Sequence, residues 1–300
     1  MTSIKLHQGL ILDKVAITMP IVENERMPLL KRINDPELCE PYNRKVYRSG
    51  GRYKNNYQFT IHEGNKIELA MYPIKKSHNF LRLEYNPTKL GKEGRKELRS
   101  FLIKLLGIDL VKTIYFEARV TRLDLTLDVF DMEPDLYLHK KRIEQSQIIR
   151  EDGIMASQIL GSDESDIRIT MYNKSLEQGK KSKANHQRIE IRIRSLNAVM
   201  ADLSDTLLSQ INALNFFNAD FLTDARFNKK FKREAKAQGL NAALMAWDDN
   251  TRRRYMRHLE DYRVFPIDLD NLDFGKARRI ALGSLLHPDL RDQAIARKAA

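Results

Sequence analysis

Hydrophobic and polar positions alternate with a period of two in several stretches of the chain. They are FLRLEYN at Phe80–Asn86, VTRLDLTLDVF ending at Phe130, Asp166–Tyr172, and QRIEIRIR at Gln187–Arg194. Alternate side chains of a strand point to opposite faces, so each stretch has an apolar and a polar side. The apolar sides hold Leu81, Leu83 and Tyr85; Leu123, Leu125, Leu127 and Val129; Ile167, Ile169 and Met171; and Ile189, Ile191 and Ile193. The polar sides hold Arg82, Glu84 and Asn86; Arg122, Asp124, Thr126 and Asp128; Arg168, Thr170 and Tyr172; and Arg188, Glu190, Arg192 and Arg194.

The remaining pattern fills in the architecture. Residues 1–79 hold short strand-like runs, such as Tyr57–Ile61 and Lys66–Ile74, with Ser49-Gly50-Gly51 as a loop. Lys92–Leu106 has helical periodicity and ends at Gly107. The strand signal that culminates in VTRLDLTLDVF starts at Thr113. Pro134 can open a helix, and Leu136–Ile149 has a helical pattern. Ile154–Leu160 reads as a strand that turns at Gly161-Ser162-Asp163, and 179–185 is a basic loop. From about Ala198 the pattern is helical to the end. The fold expected is α+β: an antiparallel sheet of about five strands or more, backed by helices on its apolar face. Residues 1–215 would form the main domain and 216–300 a basic helical region.

Charge narrows the partners. The 300 residues carry 52 Lys+Arg against 40 Asp+Glu, a formal charge of +12. Residues 221–300 alone hold 17 Lys+Arg and 11 Asp+Glu, a local net of +6. Nucleic acid is the commonest partner of so basic a chain. A single cysteine, Cys39, excludes an intrachain disulfide and a cysteine-based zinc site. The opening residues lack the apolar run of a signal peptide, and no stretch approaches the ~20 apolar residues of a membrane helix. A cytoplasmic protein with no membrane partner is expected.

Each polar strand face, taken alone, is explained by a sheet with one side in water. Together they admit a sharper reading. Asp124, Asp128 and Glu190 are hard oxygen ligands suited to Mg²⁺ or Mn²⁺. Arginines beside them suit phosphates. Tyr172 carries a hydroxyl that can act as a nucleophile, and Lys174 points the same way if its strand continues. Metal, cation and nucleophilic oxygen are the groups phosphodiester chemistry requires. Tyr172 as an amphipathic strand-end residue and Lys174 as a solvated lysine remain the plainer alternatives.

The same residues resemble a family pattern. Arg122-Leu123-Asp124 looks like the "R-aliphatic-D" strand of rolling-circle replication initiators, the filamentous-phage gene II/X and Rep_trans plasmid group. Met171-Tyr172-Asn173-Lys174 with Glu177 looks like their "Y-x-K…E" motif, and Arg188–Arg192 like their "R-aliphatic-E-x-R" strand. LEYNPTKLGKEG (83–94) resembles a phage-branch "E-x-N-P-S-K-L" segment, and LGSDESDIRITMYNK (160–174) a "GS-x-x-S-x-x-x-R-x-Y-x-K" run. The resemblance spans roughly 80–195. It implies an HUH-endonuclease-like domain that nicks one origin strand, links the 5′-phosphate to tyrosine, frees a 3′-OH primer and later rejoins the strand. It implies Tyr172 as nucleophile, Lys174 as phosphate or phenolate support, and Asp124 and Glu190 as ligands of Mg²⁺ or Mn²⁺. Asp128 and Glu84 are further metal candidates, and Arg168, Arg188 and Arg192 phosphate contacts. The chain departs from the wider pattern in three ways. Its histidines (7, 62, 78, 139, 186, 258, 287) form no His-hydrophobic-His pair. Leu176 stands where some plasmid initiators have a second tyrosine, and Asp163 and Glu164 follow the GS where relatives carry basic residues.

Arg122 of the first motif is a further candidate DNA contact, and outside the pattern the candidates are Lys181 and Lys183, Lys230 and Arg233 in NKKFKREAKAQGL, and Arg253 in the Arg252–Arg254 run. The partners expected are origin DNA, duplex and single-stranded, with a host helicase, a single-strand-binding protein and a second copy of the chain. A relaxase of a mobile element is a neighbouring reading. A non-catalytic nucleic-acid-binding protein on an RRM-like sheet is a distant one; it predicts exposed aromatics on the strands, where this chain places acids.

Overall fold

A computed structural model describes residues 10–47, 51–130, 132, 135–177, 186–199, 209–265, 267, 272, 276 and 277. The chain is an α+β protein whose antiparallel sheets are backed by helices. It divides into two interleaved units. One comprises Ile11–Asp124, Arg194–Ser204 and Phe274–Ala300, called here the Glu84 unit. The other comprises Met1–Leu10, Leu125–Ile193 and Asp205–Asp273, the Tyr172 unit. Two strands pass from one to the other: β6 (Arg119–Phe130) and β11 (His186–Val199).

In the Glu84 unit, β2 (Lys45–Tyr47), β3 (Tyr53–Ile61), β4 (Asn65–Pro73) and β5 (Leu81–Tyr85) form an antiparallel meander. β1 (Leu10–Met19) pairs with β5 and is followed in the order by β6. Val15, Ile17, Phe59, Leu69, Leu81, Leu83 and Tyr85 are all buried, as the alternation requires. Helix α3 (Pro87–Leu106) covers β3 and β4 with Leu98, Phe101, Leu102 and Leu105, and the rings of Phe59 and Phe101 lie 4.8 Å apart. Asn86 starts this helix. Its Oδ1 accepts from the amides of Thr88 (3.0 Å) and Lys89 (2.9 Å), and Pro87 takes the first helical position. The N-P pair of the resembling segment is therefore a helix start.

The N-terminal strands are joined by a helix that the sequence pattern did not suggest. α1 (Glu23–Asn34) buries Leu29 and Ile33, one turn apart, although Pro28 stands inside it. A short turn, α2 (Pro36–Cys39), follows it. The strand expected from Thr113 begins only at Arg119, because α4 (Ile108–Glu117) occupies the preceding residues. Ser49 and Gly50 of the expected loop lie outside the described residues.

In the Tyr172 unit, the order is β6, β11, β10 (Ile167–Asn173), β9 (Ile154–Leu160) and β8 (Ser146–Glu151). β8–β11 pair antiparallel. Leu125, Leu127, Ile169, Ile189 and Ile191 are fully buried. The helix expected over Leu136–Ile149 is instead two strands, β7 (Tyr137–Lys140) and β8. Asp152 (φ 50°) and Gly153 (φ 80°) turn β8 into β9, the Asp-Gly chemistry of a tight hairpin.

The expected all-helical C-terminus is also interrupted. β12 (Leu214–Phe217) pairs with β7 and with β13 (Arg263–Val264) in a three-stranded sheet. Between them run α6 (Lys229–Gln238), α7 (Leu240–Met245) and α8 (Asp249–Leu259). Phe217, Phe221, Phe227, Phe231, Leu240, Leu244, Tyr255 and Leu259 share one core with Tyr137 of β7 and Met155 of β9. These helices are thus packed on the hairpin strands. A boundary at 215/216 falls inside β12. Among the described residues no helix is long and apolar enough to cross a membrane.

Candidate functional site

The residues singled out by the sequence fall into two groups, one in each unit. In the Tyr172 unit the group is centred on adjacent strands. Tyr172 lies opposite Arg188 in the β10–β11 register, and Thr170 opposite Glu190. The Tyr172 hydroxyl donates to Glu190 Oε1 at 2.9 Å. Asp128, with no exposed side-chain surface, accepts two bonds from Arg188, Nε at 2.8 Å and Nη2 at 2.9 Å. His186 Nε2 lies 2.8 Å from the same carboxylate, and its ring stacks on Phe130 with centroids 4.3 Å apart.

These contacts set the charges. Burial pulls the Asp128 carboxyl upward, but the bonds from Arg188 and His186 outweigh it and hold it below the usual carboxylate range. The bond to Asp128 raises the Arg188 guanidinium further above its already high value. Tyr172 is pushed well above the ordinary phenol value, first by burial and then by its bond to the Glu190 carboxylate. The resting hydroxyl is therefore protonated, with its proton aimed at an acceptor.

Lys174 reaches this group by a different route from the one expected. β10 ends at Asn173, and Lys174 opens a short helical turn, α5 (Lys174–Glu177). Its Nζ lies 5.6 Å from the centre of the Tyr172 ring and pairs with Glu177, the acid of the "Y-x-K…E" pattern. On the same strands, Arg168 pairs with Asp163 of the Gly161-Ser162-Asp163 turn, and Arg192 lies 3.7 Å from the same carboxylate. The first acid that follows the GS, Asp163, therefore meets two of the arginines proposed for phosphate. Gly161 has φ 82°, and a Cβ there would lie 2.7 Å from the Ile167 carbonyl oxygen, so only glycine fits. Ser162 and Ser165 close the turn: the Ser162 amide donates to Ser165 Oγ at 2.9 Å, and the two hydroxyls lie 3.1 Å apart.

The Glu84 unit gathers the other acids. Arg122 donates to both oxygens of Asp124, from Nε at 2.9 Å and Nη2 at 2.7 Å. Glu84, 5% exposed, is paired with Lys14 and Arg82, and Arg122 approaches it at 3.9 Å. Burial raises the Glu84 carboxyl, but Arg82 and Lys14 bring it below its ordinary value.

A divalent ion finds no ready place in this arrangement. Among the described residues no three His, Cys, Asp or Glu side chains are gathered as ligands. Asp124, Asp128 and Glu84 spend their oxygens on guanidinium and ammonium groups, and Glu190 Oε1 accepts from Tyr172. This donor set does not fit a Mg²⁺ or Mn²⁺ centre, and no step derived below passes through one.

Of the outlying cations, Lys230, Arg233 and Arg253 are exposed on α6 and α8. Lys230 sits 5.9 Å over the Trp247 ring and 3.9 Å from Glu234. Lys181 and Lys183 lie outside the described residues. The sequence reading missed His186, although its even number places it on the polar face with Arg188 and Glu190.

No family model matches the chain, and no curated protein matches it. Among solved structures, it is similar to a rolling-circle replication initiator protein from Geobacillus stearothermophilus. The identity is 14%, the match covers 87% of this chain and 99% of the other, and the TM-score is 0.40. A likeness this slight assigns chemistry to no residue.

Proposed function

We propose that the chain is a rolling-circle replication initiator that nicks and rejoins origin DNA through Tyr172. The observation that carries the reading is the 2.9 Å bond from the Tyr172 hydroxyl to Glu190, beside an arginine fixed by a buried aspartate. In the sequence, the same residues form the tyrosine and acidic motifs that resemble the initiator pattern.

The geometry suggests a division of labour. Glu190 Oε1 takes the phenolic proton as Tyr172 Oη attacks phosphorus, which is the reach a general base needs. The Oη–P bond forms and the P–O3′ bond breaks. The 3′ oxygen leaves with the bonding pair and takes a proton from water. The strand's 5′ end stays on tyrosine as a phosphodiester. Rejoining is the reverse, with a 3′-OH as nucleophile. Arg188 faces Tyr172 across the strands, and its charge, locked by Asp128, offsets the negative charge that develops on the phosphoryl oxygens. Lys174 supplies a second cation at the ring.

Site- and strand-specific nicking, with a host helicase and a single-strand-binding protein as partners, belongs to the same proposal. Cleavage of a labelled single-stranded oligonucleotide pool, run with Mn²⁺ and with EDTA, tests it. Glu190→Gln should lower the nicking rate by about 10²–10⁴-fold, the usual weight of a general base. Nicking at the wild-type rate in Glu190→Gln would remove Glu190 from the chemistry. Equal rates in Mn²⁺ and EDTA are expected from acids committed to arginine and lysine partners, and nicking that stops in EDTA would overturn that reading of the donor set.

A further inference from the structure

We propose that the cleft between the Lys140–Ile143 turn and the Gly161–Ser162 turn binds a phosphodiester and its base from single-stranded DNA. It rests on the reading of the chain as a DNA-processing protein, and it adds a binding place whose residues lie outside the hydrogen-bonded group around Tyr172.

The cleft lies within the Tyr172 unit and has a volume of about 620 Å³. One wall is the turn that leaves β7, Lys140-Lys141-Arg142-Ile143, closed by the Ile143 amide donating to the Lys140 carbonyl at 3.3 Å. This turn is built at some cost. Arg142 has φ 69°, a left-handed conformation that costs a non-glycine residue about 1–2 kcal/mol. A turn that only reversed the chain would carry Gly or Asn there. Three adjacent cations also repel one another.

The turn is held from behind by Asn241, which is 2% exposed. Its Nδ2 donates to the carbonyls of Lys140 (2.7 Å) and Ile143, and its Oδ1 accepts from the Lys140 amide at 3.3 Å. A buried amide that fixes a strained basic turn has the character of a supporting group behind a binding surface.

Lys140 gives the cleft its chemistry. It is 5% exposed and lines the space, and its Nζ donates to the Gln210 carbonyl at 3.2 Å. No carboxylate pairs with it among the described residues. Leaving an ammonium buried without a counter-ion costs several kcal/mol, and a phosphate oxygen is the group that relieves that cost.

The opposite wall offers the Ser162 and Ser165 hydroxyls, with Gln145, and Gln210 beside Lys140. Two carboxylates, Glu144 and Asp166, also line the space. They make it a poor site for phosphate backbone alone. They suit an unpaired nucleotide, whose base amino groups donate to carboxylates while its phosphate meets the cations. A second cleft of about 540 Å³ shares Gly161 and Ser162 as lining and is lined in part by Arg168. A strand laid along the turn would find both clefts bordering it.

The test is fluorescence anisotropy of a labelled mixed-sequence single-stranded 20-mer with the full chain. Arg142→Gly removes a cation and relieves the turn, so it should keep or raise the melting temperature while Kd rises about fivefold. Combined with Lys141→Gln, the loss should exceed tenfold, and the slope of log K against log salt should flatten by about 0.7 for each phosphate no longer neutralised. Wild-type affinity in both variants overturns the inference. So does displacement of the strand by an equal concentration of the matching duplex. If Arg142→Gly weakens binding but wild type forms no tyrosine adduct, the cleft stands and the nicking reading falls. If the adduct forms and Arg142→Gly binds like wild type, the cleft falls alone.

Discussion

Single side chains in this protein are tuned by their partners more than by their own chemistry. Asp128 has no exposed side-chain surface, yet it stays ionised because Arg188 and His186 both bond to it. Asp128→Asn should therefore cost about 3–5 kcal/mol in urea unfolding, since it leaves Arg188 without its charge partner. A cost under about 1 kcal/mol would mean that the pair contributes little. His139 provides the opposite case. Burial lowers it to about 4, so it stays neutral in the fold while the unfolded chain takes up a proton near the ordinary value of about 6.5. Below pH 6.5 the unfolded state binds the extra proton, so stability falls as pH drops from about 6.5 to 4, by up to roughly 3 kcal/mol. Thermal melts across that window should show this slope, and His139→Leu should flatten it. At Gly161, the Ala variant would put Cβ 2.7 Å from the Ile167 carbonyl oxygen. A loss of about 1–3 kcal/mol is expected, and an unchanged melting temperature would contradict the turn geometry.

At the scale of elements, stability concentrates where helices meet sheets. Phe231 of α6 has no exposed surface and packs 4.6 Å from the Tyr255 ring and 5.4 Å from Phe227. Phe231→Ala should cost about 3–5 kcal/mol, which calorimetry would measure directly. Because the same core contains Tyr137 and Met155, that loss should spread to β7 and β9 instead of melting the C-terminal helices alone.

The strands with clean alternation were legible in the sequence, and Leu123, Leu125, Leu127, Ile189 and Ile191 are buried as their parity demands. The misread elements have physical causes. Leu136 and Ile143 stand seven residues apart and Leu138 and Ile149 eleven, each close to a whole number of helical turns, and that outweighed the Asp152-Gly153 hairpin signal beside them. Tyr115 and Phe116 favour strands by propensity, yet they fall in α4, where tertiary context decides. Pro28 disguised α1, whose only apolar anchors are Leu29 and Ile33. The tyrosine, its acid and its arginine were legible through parity. The partners of Asp124, Glu84 and Asp128 were not, because ion pairing depends on which strands become neighbours.

Across the whole molecule, a formal charge of +12 sets how the chain meets a polyanion. Duplex affinity should fall steeply with salt, as lysines and arginines release counter-ions from phosphate. A flat response between about 50 and 200 mM salt would contradict a DNA-binding role for the basic surface that includes Lys230, Arg233 and Arg253. The central claim concerns one atom, Tyr172 Oη. Its most direct test is covalent capture: wild type and Tyr172→Phe with Mn²⁺ and a labelled single-stranded pool that includes DNA flanking the gene, resolved on a denaturing gel and mapped by mass spectrometry. The account predicts a protein–DNA adduct on Tyr172 that is absent in the phenylalanine variant. An adduct that persists in that variant, or no adduct with flanking DNA and metal present, would contradict it.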